Sequence, residues 1–271
     1  MDYVEKRKQG RRRIFEKKLK ENEKKKRIEE NKSYSVALQN EKIFNSIYKG
    51  LNLYEKKMYR FVLSLLKKGD DIDTTFIIRH KDIRELFNHN FTSKEIYDIL
   101  DKVSSSLTLI GTYKNGKKRY IKIPIFKTID TSENYDTTNV IFNEKYTEFA
   151  FFSFDKGHFL KYELASILNY KKLHTIEIFE NLLAKVRENQ REEIVSIEYN
   201  IETLKEILDC KKQATKDFIK QVIKKSIEEI NKYNYNVLGG TIQYKYDKTK
   251  KTITFYIENI VYMLKQEKKS R

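Results

Sequence analysis

Residues 200–232 read NIETLKEILDCKKQATKDFIKQVIKKSIEEINK, and the fold prediction starts from this stretch. Asn200 is a residue type that caps helices, so it predicts a short helix from Ile201 to Leu208. Residues 209–213 predict a turn, and a long helix follows from about residue 214 to residue 232. The apolar side chains of the long helix recur at helical spacing and are expected to face a core: Phe218, Val222, Ile223, Ile227 and Ile230.

The segments on either side add the other parts of a winged helix-turn-helix. Residues 171–187 predict a preceding helix, and residues 194–197 predict a short strand. Residues 241–247 and 251–257 predict two strands that form the wing. The residues expected on the inner face of the preceding helix are Leu173, Ile176, Phe179, Leu182, Leu183 and Val186.

The first half of the chain repeats this order of elements. Residues 52–55 and 92–95 each predict a capping box that opens a helix. The dipeptide Asn115-Gly116, flanked by β-rich runs, predicts a hairpin. This hairpin is expected to match the wing of the second half. The remaining predicted elements are a strand at 76–78, a helix at 81–87, a turn at 88–90 and a strand at 139–143.

Two segments of the first half align with the second half at nearly the same offset. Residues 82–87 match residues 203–208 at an offset of 121, and residues 92–96 match 214–218 at an offset of 122. The predicted fold class is therefore α+β, with two tandem, pseudo-duplicated winged helix-turn-helix domains and a basic N-terminal helical arm. The predicted divisions are the arm at 1–33, an N-terminal winged-helix domain at 34–148, a C-terminal winged-helix domain at 149–265 and a basic tail at 266–271.

The balance of charge indicates a polyanionic partner. The 271 residues include 56 Lys and Arg against 39 Asp and Glu, a formal net charge of +17. An AT-rich genome explains many lysines but not their excess over acidic residues, so nucleic acid is the simplest partner. The single cysteine, Cys210, excludes a disulfide framework and a Cys-based zinc site within one chain. With no apolar signal-peptide region and no transmembrane run, we expect a cytoplasmic protein without membrane contact.

The arm at residues 1–33 is dense in charge. Residues 1–32 include 14 Lys or Arg and 7 Asp or Glu. Mixed charge of this kind is typical of a solvated, partly helical extension. The alternative is that the arm lies along DNA phosphates.

Candidate DNA-binding residues lie on the polar face of the long helix and on the second wing. Gln can read adenine and Lys can read guanine in the major groove, whereas lysines of a wing suit the DNA backbone. Solvated lysines on the helix, or strand-end lysines that protect a sheet edge, are the alternatives. The helix candidates are Lys212, Thr215, Lys216, Lys220, Gln221 and Lys224, and the wing candidates are Lys245, Lys248, Lys250 and Lys251.

In the first half the corresponding helix face is less basic, because Asp98 interrupts it. Direct base reading by this helix is therefore less secure than phosphate contact by the hairpin. The candidates on the helix are Ser93, Lys94 and Tyr97, and those on the hairpin are Lys114, Lys117, Lys118 and Arg119.

The competing signals for an enzyme are weak. Residues 111–118 approach a Walker A pattern, but Lys118 replaces the Mg-binding hydroxyl and the segment lies in a hairpin. No His-x-His pair exists to hold the metal of a rolling-circle nickase, and there is no H-E-x-x-H. His174 is expected to be packed or half-exposed, and Cys210 to be structural. We therefore expect no catalytic residue, no metal and no cofactor.

Residues 40–66, 161–183 and 204–237 resemble the initiator Rep proteins of theta-replicating plasmids. The likeness covers about residues 37–258, and its most distinctive run is 218–231, which ends in Glu-Glu-Ile-Asn. The sequence departs from the family pattern at Glu177 and Phe179, where many members have a basic residue and a tyrosine.

This resemblance implies a function beyond what the residues alone indicate. Members have tandem winged-helix domains, and their monomers bind repeated origin sites, the iterons, mainly through the C-terminal domain. They help melt an AT-rich region and recruit a host helicase or initiator. Dimers joined through the N-terminal domain repress the initiator's own gene at an operator or pair origins. By matching positions, Lys216, Lys220, Gln221 and Lys224 would contact the iteron without covalent catalysis.

Three alternatives remain open from the sequence. A tandem winged-helix transcription regulator would bind DNA without origin activity. A nicking initiator would cut DNA with a metal and form a covalent phosphotyrosine. A non-specific coating protein would bind all sequences alike, with affinity that falls steeply with salt.

Overall fold

A computed structural model places most of the chain. The predicted arm at 1–33 and tail at 266–271 lie outside the described residues, as does the hairpin turn at 113–117. The described residues are 35–39, 50–66, 70, 73–105, 108–112, 118–134, 136–148, 159–189, 193–238 and 240–258.

The first half follows the predicted order of helices and strands, with three additions. Strand β1 precedes the first helix, and strand β5 follows the hairpin. Residues 144–148 form a short helical segment after the last strand. The elements are β1 (Ser35–Gln39), α1 (Leu53–Leu65), β2 (Thr75–Arg79), α2 (His80–Phe87), α3 (Ser93–Ser105), β3 (Thr108–Thr112), β4 (Lys118–Lys122), β5 (Phe126–Ser132) and β6 (Thr137–Phe142).

The second half begins with a strand and a short helix that the sequence did not predict. The long helix, α7, runs over residues 215–238 and has three consecutive parts: α-helical Thr215–Asp217, π-helical Phe218–Lys224 and α-helical Lys225–Leu238. The other elements are β7 (Phe159–Glu163), α4 (Ala165–Leu168), α5 (Thr175–Glu188), β8 (Ile194–Asn200), α6 (Ile201–Ile207), β9 (Ile242–Asp247) and β10 (Thr252–Glu258).

The predicted helix starts are confirmed by their hydrogen bonds. Asn52 Oδ1 accepts from the Glu55 amide at 3.0 Å, and the Asn52 amide donates to Glu55 Oε2 at 2.7 Å, which is a full capping box. The box at residues 92–95 forms in the same way. Asn200 Oδ1 accepts from the amides of Glu202 and Thr203 at the start of α6.

The prediction that the Asn115-Gly116 hairpin matches the second wing is wrong. The second domain has the sheet order β8-β10-β9, and the first has β2-β6-β5, so β5 and β6 are the counterparts of β9 and β10. The hairpin does form, but β3 and β4 make a separate two-stranded sheet. The side chains of Val140 and Phe142 on β6 face the core and pin β6 in the central position. Pairing with β2, rather than turn chemistry, therefore decides which strands form the wing.

Strands β1 and β7 pair with each other across a long sequence separation. They form an antiparallel two-stranded sheet, with Ser35 opposite Glu163 and Gln39 opposite Phe159. This pairing joins the start of the first predicted domain to a segment assigned to the second. The domain boundary at 148 stays a prediction.

The predicted core face of α7 is confirmed, because Phe218, Val222, Ile223, Ile227 and Ile230 are all buried. On the preceding helix one assignment is wrong, since Leu173 lies before the start of α5 and is 38% exposed. Helix α7 also extends beyond its predicted end. Asn234 has non-helical angles there, yet its buried side-chain amide donates to Ser166 O and to Tyr170 Oη (2.6 Å). In these extra turns, α7 contacts α4 and the residues that follow α4.

Within the part of the chain that the structure describes, no helix has the length and apolar character needed to cross a membrane.

We expect Asn52→Ala to lower the free energy of unfolding by about 1 kcal/mol, because the first turn of α1 loses its cap. Urea denaturation of the full chain measures this change. The matched control is Asn90→Ala, at an exposed position in the turn between α2 and α3. The control is expected to stay within about 0.5 kcal/mol of the parent protein. Equal effects of both substitutions would contradict the capping role.

Candidate nucleic-acid interface

Helix α7 buries one face and exposes a basic one. Phe218 and Ile223 are fully buried against the core. The opposite side exposes Lys216, Lys220, Gln221 and Lys224, and Lys212 is exposed in the turn before the helix. The structure therefore brings the predicted reading residues of the second domain together on one accessible surface.

Three of these side chains have neighbours that sequence reasoning missed. Thr215 is half-buried, and its Oγ1 accepts from Lys205 Nζ at 3.0 Å. Gln221 Oε1 accepts from Lys225 Nζ one turn further along. Lys224 Nζ lies 3.9 Å from Glu228 Oε1, in a pair exposed to solvent. Since an exposed ion pair contributes little, the Lys224–Glu228 pair leaves Lys224 available to a stronger anionic partner.

The π-helical part of α7 coincides with the predicted reading residues. Phe218–Lys224 is π-helical and carries Lys220, Gln221 and Lys224. A π-helix bonds residue i to residue i+5 and is rare, and it occurs frequently at functional sites. The apolar periodicity predicted a regular α-helix here. It could not distinguish an α-helix from a π-helix, because burial of one face is compatible with both geometries.

The tip of the second wing is held by one aspartate. Asp247 Oδ1 accepts from the amides of Thr249 and Lys250 at 2.9 and 3.0 Å. The hydrogen bond from the Lys250 amide is the main cause that holds the pKa of Asp247 below its usual value. This turn presents four exposed lysines, which are the predicted wing residues Lys245, Lys248, Lys250 and Lys251.

In the first domain the predicted helix residues are less free. Ser93 is half-buried, and its Oγ lies 2.9 Å from Nδ1 of the buried His80. Lys94 and Tyr97 are exposed on the same helix. Lys118 and Arg119 lie on β4, where the backbone pairs with β3, and Lys114 and Lys117 lie outside the described residues.

In the first domain, an aspartate of the β5–β6 turn forms an ion pair with an arginine of the helix-turn-helix. Arg84 of α2 donates both terminal nitrogens to Asp136, at 2.8 and 2.9 Å, and its Nε donates to Phe91 O at 2.6 Å. The Arg84 hydrogen bond is the main cause that lowers the pKa of Asp136. The β5–β6 turn therefore presents an arginine-bound carboxylate where the second wing presents lysines.

Buried ion pairs that were not predicted from the sequence join α1 to α5. Arg60 is fully buried, and its Nε and Nη2 donate to Glu180 Oε1 and Oε2 at 2.9 and 2.6 Å. Tyr162 Oη donates to Glu180 as well. Lys56 Nζ donates to Glu177 Oε1 at 2.7 Å. The sequence of α1 has three cations, Lys56, Lys57 and Arg60, on a helix with an apolar face. A solvated helix has the same pattern, so the pattern does not predict buried pairs.

Next to these pairs a cleft of about 370 Å³ separates α1 from the turn before α7. His174 lines the cleft, with Nδ1 3.5 Å from Glu177 Oε2 and Nε2 3.6 Å from Cys210 Sγ. Burial opposes a charge on the imidazole, but the neighbouring Cys210 thiol and Glu177 carboxylate outweigh it and raise the pKa of His174 to about 9. Burial also opposes the charge on Glu177, yet His174 and Lys56 hold the pKa of Glu177 below its usual value. Cys210 is buried and not disulfide-bonded.

Among the described residues, no group of three or more His, Cys, Asp or Glu is arranged to hold a metal ion. The chemistry that the exposed surface of α7 and the β9–β10 turn supports is hydrogen bonding and charge attraction toward an anion.

Two family models match the chain. The model described as Initiator Replication protein, WH1, matches residues 35–183, and the model described as Initiator Rep protein, WH2, matches residues 200–257. The first match extends past the predicted boundary at 148 and includes β1, β7 and most of α5.

A solved structure shares the fold with this chain. It is described as the crystal structure of Pi initiator protein in complex with iteron DNA, and it is 15% identical in sequence with a TM-score of 0.66. The likeness covers 84% of this chain and 98% of that chain. A search of curated protein sequences finds no match.

The charge on His174 predicts a pH dependence of stability. The pKa of His174 is about 9 in the folded protein against 6.5 unfolded, so this stabilisation is complete below pH 6.5 and is lost as the pH rises through about 9. Burial lowers the pKa of Lys57 to about 8. Above that pH, loss of its proton stabilises the folded protein, which is the trend opposite to that of His174.

We therefore expect the Tm to fall between pH 6.5 and pH 8, by the equivalent of at most about 2 kcal/mol. Differential scanning calorimetry across this range measures the slope, and His174→Asn is expected to flatten it. A variant with the parent's slope would show that another group titrates.

Proposed function

We propose that this chain, which belongs to the initiator replication protein family, is a plasmid replication initiator that binds repeated DNA sites. One observation supports this proposal above the others. The second domain exposes a basic helix face and a lysine-rich wing from a single helix-turn-helix, which is the arrangement that reads a major groove and grips the adjacent backbone.

In this proposal α7 lies in the major groove of an iteron. Lys216, Lys220, Gln221 and Lys224 contact base edges and nearby phosphates, while Lys212 and Thr215 lie at the N-terminal end of the helix, where backbone amides favour phosphate. The wing lysines neutralise the backbone. The first domain contributes backbone contacts from Ser93, Lys94, Tyr97 and the β3–β4 hairpin, and it forms the dimer.

The wider activity follows from the family. We propose that monomers bound to iterons help open the origin and recruit a host helicase or initiator, and that dimers repress the initiator's own gene. The protein acts in the cytoplasm on double-stranded DNA, without a cofactor and without catalysis of its own. The N-terminal domain at 34–148 is the one proposed to form the dimer, and the arm at 1–33 is proposed to be a solvated, partly helical extension.

Selection of bound duplexes from a random library at moderate salt tests this proposal. We expect an enriched motif of two half-sites spaced by about one helical turn. Tandem copies of the motif beside the gene would separate an initiator from a transcription regulator. Absence of any motif, with binding that only weakens as salt rises, would leave a non-specific coating protein.

Substitutions on the reading helix and on the wing are expected to differ in kind. Lys220→Ala and Gln221→Ala should relax the sequence preference, because a good base contact discriminates by about 1–3 kcal/mol. Lys250→Ala should weaken binding to all duplexes alike and reduce the salt slope by about 0.9.

Fluorescence anisotropy with the selected duplex and a scrambled duplex measures both effects. Lys185→Ala is the matched control, since Lys185 is an exposed lysine on α5 rather than on α7 or the second wing. The same response from Lys220→Ala, Gln221→Ala and Lys250→Ala would show that α7 does not read the bases.

A further inference from the structure

The first helices of the two domains meet through near-equivalent positions of opposite charge. Helices α1 and α5 begin at residues 53 and 175, an offset of 122. Lys56 pairs with Glu177, 121 residues later, and Arg60 pairs with Glu180, 120 residues later. The duplicated helices thus face each other with cations on one and carboxylates on the other.

These pairs resist sliding more strongly than an apolar contact would. Arg60 has no exposed surface and grips both oxygens of Glu180, while Tyr162 donates to the same carboxylate. A bidentate pair holds its geometry in direction as well as distance. Moving one helix along the other would leave two buried charges without partners, which costs far more than shifting methyl groups past each other.

Each first helix is also fixed to the third helix of its own domain. On the first side α1 packs against α3, and Lys102 Nζ of α3 donates to Glu55 Oε1 of α1 at 2.9 Å. On the second side α5 packs against α7. Glu229 of α7 accepts from Thr175 Oγ1 at 2.8 Å and from the amides of Lys171 and Lys172. A continuous set of polar contacts therefore runs from α3 to α7.

We infer that the Arg60–Glu180 and Lys56–Glu177 pairs set the distance between α3 and α7, and so determine the spacing of half-sites that the protein accepts on DNA. This inference rests on the proposed function, in which both domains contact one DNA site. A change of one base pair in spacing moves a half-site by about 3.4 Å and rotates it by roughly 35°. A rigid connection cannot follow that change without losing contacts at one end. Arg60, Glu180, Lys56 and Glu177 are positioning residues, because they act on DNA through α3 and α7.

The test measures spacing preference rather than affinity alone. A library keeps both selected half-sites and varies the spacer by up to two base pairs in either direction. Full-length parent, Glu180→Gln and Lys56→Met are each incubated with it, and bound duplexes are sequenced. Glu188→Gln is the matched control, because Glu188 forms an exposed pair with Lys185 on the same helix α5. Calorimetry of each variant identifies the temperature at which it is folded, and binding is measured there.

We expect the parent and Glu188→Gln to prefer one spacer by about tenfold over its neighbours, the usual size of coupling between two sites. Glu180→Gln and Lys56→Met are expected to reduce this preference to about threefold or less while selecting the same half-site sequences. A folded variant that keeps the parent's sharp spacing preference would overturn the inference. If Glu180→Gln does not fold, Lys56→Met alone provides this test. A parent that selects a motif without any preferred spacing also overturns it and leaves the proposed function intact. A parent that selects no motif overturns the proposed function itself.

Discussion

The packing of α7 against α5 is the contact on which the rest of the second domain depends. The part of α7 that packs against α5 is Lys225–Leu238, where Ile227 and Ile230 are buried, and Phe218, Val222 and Ile223 bury the same face nearer the start of the helix. Each fully buried side chain of this size contributes about 1.5–3 kcal/mol. Because a helix has only one opposite face, this burial leaves the lysines of α7 in solvent. The basic surface is therefore a consequence of the core.

The connection between the domains includes buried charge as well as apolar burial. Arg60 and Glu180 are buried together, and the second pair joins Lys56 to Glu177. A basic residue at 177 would face Lys56 and repel it, so this pair depends on the carboxylate of Glu177.

Sequence patterns predicted the helices and their starts because these depend on local chemistry. Asn52 and Asn200 cap helices wherever a helix follows, and the apolar spacing of α7 marks its buried face. The wing of the first domain could not be predicted in this way. Asn115-Gly116 indicates a hairpin, but a turn signal contains no information about which strand lies beside β2. Strands β1 and β7 were missed because they are short and pair with each other over more than a hundred residues.

The sequence by itself determined two winged helix-turn-helix units, their order and the basic face of α7, since periodicity and caps act within a few residues. The tertiary structure decided which hairpin is the wing, where the π-helical turn falls and how the two domains are joined. Those features depend on residues far apart in the chain, such as Arg60 and Glu180. A lone buried charge is unfavourable, and only the fold reveals the partner that makes its burial possible.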